Sequence, residues 1–184
     1  MMSTPFSAAI DRAHGPAATF SEDAHVWSTW RLTAPARQIA ESALTRAGIT
    51  VTAAAFATTN ARFAMVGCKL GPAWHRPIVH AAAIRGASGV AIGTWIYVKD
   101  AQALSRWTLL VHELVHVAQF REIGTWRFLA RYVSRYARGR LSGLSDMDAY
   151  RAIDFEQQAR AAERDICEPS RPYVEQDERT HPAR

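Results

Sequence analysis

The chain has 184 residues, 48% of them apolar, and a formal net charge of +5. That length suits one domain with a real core, and no apolar run approaches the roughly 18 residues that a membrane helix needs. Of the 22 basic residues only Lys69 and Lys99 are lysine, a usage that reflects base composition more than a binding role. The start, MMSTPFSAAIDRAHGPAA, lacks a basic segment followed by an apolar block, so no Sec signal peptide is expected. The expectation is a cytoplasmic product, with export by a specialised system left open. Cys68 and Cys167 form no CxxC pair and are read as reduced, structural thiols.

Residues 1–24 mix Ser, Thr, Pro, Gly and Ala without period and read as a flexible leader; 25–168 read as one domain and 169–184 as a flexible tail. Residues 35–47 carry Ile39, Ala43, Leu44 and Ala47 at helical spacing, with Pro35 in the first turn and Gly48 at the exit. Strands are predicted over 49–57 and 78–84. A mixed stretch lies between them, and RGASG forms a turn at 85–89. VAIGTWIYV (90–98) alternates most strongly and is predicted to pair with 78–84 as a hairpin.

A helix follows from Asp100 or Ser105 to about Glu122, closed by Gly124. A second spans 125–138, with Trp126, Leu129, Val133 and Tyr136 as its apolar stripe. After a loop at 139–143, Ser145 and Asp148 resemble a capping box that opens a third helix towards Ile166. The fold class predicted is α+β: a β-hairpin or short sheet followed by three helices, the first of them buried.

That first helix contains LLVHELVHVAQF, in which His112, Glu113 and His116 make an HExxH motif. Residues four apart on a helix lie about 40° apart around the axis and roughly 6 Å along it, so both imidazoles can reach one Zn²⁺. Glu113 is then placed to take a proton from a zinc-activated water as that water attacks a carbonyl, and to return it to the leaving amine. Roughly one random chain in a few hundred of this length would hold such a motif, so its apolar flanks and the preceding strand carry much of the weight. The competing reading is a core helix whose histidines bond to their neighbours, which is costly for three adjacent ionisable groups.

A third ligand is required. The pattern HExxHxxGxxH is absent: Gln119 stands at the glycine position and Glu122 at the histidine position, about 80° around the helix from His112. Glu156 on the later helix fits best, with Glu163 as the alternative. Asp146 and Asp148 look like capping residues, and His75 and His80 precede the strong strand. Tyr150 reads either as core packing or as a donor to the oxyanion of the reaction. Arg127, Arg131, Arg135 and Arg138 share one helix face. They form either a solvated face or a surface for nucleic acid, anionic lipid or an acidic partner.

These motifs resemble the zincin metallopeptidases, which carry HExxH on a buried helix beside an edge strand that holds the peptide substrate. The stretches GVAIGTWIYVKD, LLVHELVHVAQF and AYRAIDFEQQARAAE, spanning about 89–163, are most similar to the bacterial eCIS core domain, a metallopeptidase-type family found near contractile injection systems and toxins. The resemblance implies His112 and His116 as zinc ligands and Glu113 as catalytic base. It also implies Glu156 as the acid of a later E-x-x-A segment, and a substrate strand within Val90–Val98. The thermolysin-type NExxxD context is missing. The function expected is a zinc-dependent metallopeptidase acting on a protein or peptide. The alternative is a non-catalytic zincin-fold module serving as cargo, adaptor or structural part of a secretion or toxin system. A secretion-system or toxin partner fits either reading. The SprT-like proteases also carry HExxH and act at DNA, but they usually bring a zinc ribbon. No CxxC pair occurs here, and a nucleic-acid partner is not expected.

Overall fold

The computed structural model describes residues 28–177 except Arg85 and Asp165; the leader expected at 1–24 and the last residues from 178 lie outside them. In chain order the elements are β1 (Trp30–Leu32), α1 (Ala34–Arg46), α2 (Val51–Asn60), β2 (Arg62–Met65), α3 (His75–Ile84), β3 (Gly89–Ile92) and β4 (Trp95–Val98). They continue with α4 (Ala101–Leu104), α5 (Trp107–Ile123), α6 (Thr125–Leu141), α7 (Asp146–Arg151), α8 (Asp154–Glu163) and β5 (Val174–Gln176). The five strands form one mixed sheet in the order β3-β4-β2-β1-β5, with β2 parallel to β4 and the other neighbours antiparallel.

Period-two alternation divides the sheet's two faces. Phe63, Met65, Ile96 and Val98 point into the main core with α1, α2, α5 and α8. Ala64 and Tyr97 point the other way, into a smaller cluster with Cys68, Val79 and Ile92 under α3. Helix α5 lies on the first side, against β3 at the sheet edge and between α2 and α8. Among the described residues no helix is long and apolar enough to cross a membrane.

The α+β class and the helix at α1 agree with the sequence. Asp100 caps α4 by accepting from the Ala103 N–H at 2.7 Å, and Ser105 sits where α4 gives way to α5. Several elements differ. The strand expected over 49–57 is helix α2: Thr50 caps it by accepting from the Ala53 N–H, and the alanine run favours helix over the β-branched residues beside it. The strand expected over 78–84 is helix α3, with His75 and Val79 buried one turn apart. The hairpin is made by 89–98 itself, because Gly93 (φ 61°) turns the chain back and resets the alternation. Central strand β2 falls in the stretch read as mixed. Buried on both faces, it shows a short apolar run instead of alternation.

The third helix is two: the chain breaks at Ala152 and Ile153, and α8 returns across α5. Residues expected to be a flexible tail include β5, docked on β1 by ladder bonds and by an Arg31–Asp177 ion pair at 2.6 Å. Gly139, expected in a loop, lies inside α6, where a Cβ would stand 3.0 Å from the Ala149 Cβ; its absence lets α7 approach. The apolar stripe of α6 is also rotated from expectation. Phe128 is buried, and Leu129, Tyr132 and Tyr136 pack around it, while Trp126 and Val133 face outward.

Candidate metal centre

Helix α5 is buried from Leu110 to Phe120, and the His112 and His116 side chains keep only 11% and 10% of their surface exposed. Gly124 (φ 81°) ends the helix and lets α6 fold back over it. Helix α8 crosses on the other side and delivers Glu156 from its first turn. The Nε2 atoms of His112 and His116 stand 3.2 Å apart. Glu156 Oε2 lies 3.3 Å from His112 Nε2, and Glu156 Oε1 lies 3.3 Å from His116 Nε2. Ligands 2.0–2.1 Å from a shared ion at tetrahedral angles stand about 3.3–3.4 Å apart, so the spacing fits a three-ligand site. These three residues are the group able to hold a metal ion among the described residues.

The outer hydrogen bonds point the same way. His112 Nδ1 is 2.5 Å from Glu163 Oε1, and His116 Nδ1 is 2.8 Å from Gln119 Oε1. Gln119 Nε2 donates to the Phe155 carbonyl and to Gln158 Oε1, which fixes its amide oxygen towards His116. A carboxylate and an amide oxygen can only accept, so both histidines donate through Nδ1 and turn an Nε2 lone pair inward. In the neutral rings two Nε2 lone pairs and a carboxylate therefore converge on one point. Glu156 is 2% exposed, and its Oε2 is buried without a hydrogen bond. A cation, either a metal ion or the protons of the two imidazoles, satisfies such an arrangement.

The proton affinities report the same demand. Burial pulls the His112 imidazolium down, but bonds to Glu156 and Glu163 and the charges of Glu113 and Glu156 outweigh it and push it up to about 10. His116 rises for related reasons, against its burial. Burial raises the Glu156 carboxyl, yet the bonds from His112 and His116 hold it well below the usual carboxylate range. Tyr132 donates to Glu156 Oε1 at 2.9 Å, and Tyr150 also bonds to Glu156. Burial, and then the Glu156 charge, keep both phenols protonated.

Glu113 stands beside the triad and outside it. Burial pushes its carboxyl up, against the pull of the His116 and His112 charges, and it accepts from the Ala91 N–H on β3. The Lys99 N–H to Ser88 carbonyl bond sets which β3 residues pair with β4, and it leaves the backbone groups of Gly89 and Ala91 on the outer edge of the sheet. Gly89 has to be glycine for Glu113 to sit there: a Cβ would stand 2.9 Å from Glu113 Oε1 and 3.2 Å from both Cδ and Cγ.

Of the residues singled out from sequence, His112, His116 and Glu156 come together. Glu163 does not join them as a third ligand; it binds the far nitrogen of His112. Glu122 receives the Thr50 N–H and hydroxyl at the start of α2, and His75 bonds to the Tyr97 hydroxyl at 2.8 Å. His80 is exposed, and Asp146 and Asp148 lie in the first turn of α7. Tyr150 is half-buried near Glu156. Sequence reasoning missed Tyr132, Gln119 as partner of His116, and Gly89. The Phe128–Tyr132–Tyr136 spacing was a usable signal for the first, and the other two depend on contacts between elements. Comparison with protein-family models, curated proteins and solved structures found no match to this chain.

Proposed function

We propose that the chain is a zinc-dependent metallopeptidase of the zincin type, hydrolysing peptide bonds with Glu113 as general base. The observation that carries this reading is the convergence of His112 Nε2, His116 Nε2 and the Glu156 carboxylate, 3.2–3.3 Å apart. The donor set of two imidazoles and one carboxylate suits zinc and leaves a fourth position for chemistry.

Zinc, when bound, supplies Lewis acidity towards a carbonyl and towards water. The chain's own groups do the rest. Glu113 takes the proton from the attacking water and passes it to the leaving amine. Burial raises its proton affinity above that of an ordinary carboxylate, which makes it the stronger base. Glu163 and Gln119 hold the two imidazoles in the ligating tautomer, and the phenols of Tyr132 and Tyr150 hold Glu156. The outer edge of β3 beside α5 would offer the Gly89 backbone and the Ala91 carbonyl to an extended peptide, the Ala91 N–H being taken by Glu113.

The test is hydrolysis of a protein and peptide panel by the zinc-loaded chain and by Glu113→Gln. The reading expects equal zinc in both and cleavage only in the first; cleavage by the variant would overturn the assignment of the base. One observation favours the alternative of a non-catalytic zincin-fold module within a secretion or toxin system. Glu113 is 5% exposed and already bonded to Ala91, as a purely structural glutamate would be. Stoichiometric zinc without turnover on any member of the panel supports that alternative.

A further inference from the structure

Helix α6 has two apolar faces, and only one is covered. Its inner face, built on Phe128, packs against α5 and α7. On the opposite side Trp126, Ala130, Val133, Ala137 and Leu141 recur at spacings of four, three, four and four residues and fall within about 80° of arc. All five are exposed, Trp126 by 82%, Val133 by 62% and Leu141 by 90%. Of the nine exposed large apolar side chains among the described residues, five lie between Trp126 and Met147, so the exposure is concentrated here.

The charge on this helix is of one sign. Thr125–Leu141 contains five arginines and no acid. Arg131 and Arg135 turn to Asp154, at 2.8 and 3.8 Å. Arg140 bonds to the Leu144 carbonyl on the other flank of the ridge. Arg127 and Arg138 make no ion pair among the described residues and stand along the ridge's edge.

We propose that this outward face of α6 docks on an anionic lipid surface. A second copy of the chain is a poor occupant, because it would set the flanking Arg127, Arg138 and Arg140 against the same three arginines. Nucleic acid would use the arginines and leave the Trp126–Val133–Leu141 ridge in water. An apolar ridge about 22 Å long, with a tryptophan at one end and arginines along its flanks, matches a helix lying in the plane of a bilayer. There the aromatic ring sits at headgroup level, and guanidinium groups reach the phosphates. This proposal does not depend on the peptidase reading.

The experiment is co-sedimentation of the full chain with vesicles of phosphatidylcholine alone and of phosphatidylcholine mixed with phosphatidylserine. Three proteins are compared: the wild type, Arg127→Gln/Arg138→Gln and Trp126→Ser/Val133→Ser/Leu141→Ser, each checked for unchanged circular dichroism. All five positions are exposed, so the fold should be retained. The wild type is expected to sediment with the anionic vesicles and not with the neutral ones, and to dissociate as salt is raised. Partition should weaken by roughly fivefold for each arginine removed. The apolar variant should lose binding even at low salt. No sedimentation with anionic vesicles at low salt would overturn the proposal, as would binding that both variants retain. Capture of an acidic amphipathic peptide by a chain that ignores the vesicles would also overturn it.

Discussion

At the residue scale each histidine of the centre has two jobs, one per nitrogen. His112 gives Nδ1 to Glu163 and keeps Nε2 for the centre; His116 does the same with Gln119. Glu163 is therefore a positioning group, which separates it experimentally from a ligand. Glu163→Gln should keep zinc stoichiometry while weakening affinity by roughly 10- to 100-fold, read by competition with a chromophoric chelator. Loss of stoichiometric zinc in that variant would make Glu163 a ligand after all. Gly89→Ala tests the other side of the site. The added Cβ would press on Glu113 at 2.9 Å and displace a carboxylate that also needs the Ala91 N–H. Zinc should be retained and turnover reduced by roughly a hundredfold, the order that a misplacement of about 1 Å brings. Unchanged turnover would show that Glu113 does not act from this position.

At the scale of elements, the site depends on α6 and α8 being held against α5. Phe128 does much of this. It is 4% exposed, stacks on Phe155 with centroids 4.6 Å apart and meets Phe120 at 4.2 Å. Phe128→Ala should destabilise the chain by about 3–5 kcal/mol, seen as a lower urea midpoint with little change in slope. A loss under 1 kcal/mol would mean the cluster is looser than its geometry.

The elements also show where sequence reading succeeds and fails here. Helix α5 and its three motif residues were legible because their spacing is local. Glu156 was legible by type and by its place after a returning helix, though the break at Ala152 that returns it was not. Strand β2 escaped because burial on both faces removes alternation. Helices α2 and α3 were mistaken for strands because their β-branched residues mask alanine-rich segments whose outcome is set by packing on α5 and the sheet. Strand β5 is three residues of ordinary polar chain, and only its docking on β1 makes it a strand.

For the whole molecule, zinc binding at the cluster would reverse how stability depends on pH. In chelated protein the folded chain holds a proton on His112 up to about 10, against an ordinary value of 6.5. That contribution is fully present below 6.5 and is lost as pH rises through about 10. Glu156 is depressed from 4.5, so its contribution is present above that value and fades as pH falls further. Chelated protein should therefore have its highest Tm between these limits and lose stability on the alkaline side. Zinc-loaded protein should gain from rising pH over the same range, since metal uptake releases the histidine protons. Parallel Tm–pH curves for the two forms would show that the histidines are not where zinc binds.

The measurement that bears most directly on the account is zinc per chain, by elemental analysis of protein purified without a histidine tag, for wild type and Glu156→Ala. About one zinc is expected in the wild type, lost or much weakened in the variant. Wild-type protein that takes up no zinc even after reconstitution would contradict it, and would leave His112, His116 and Glu156 as a buried polar cluster without a metal.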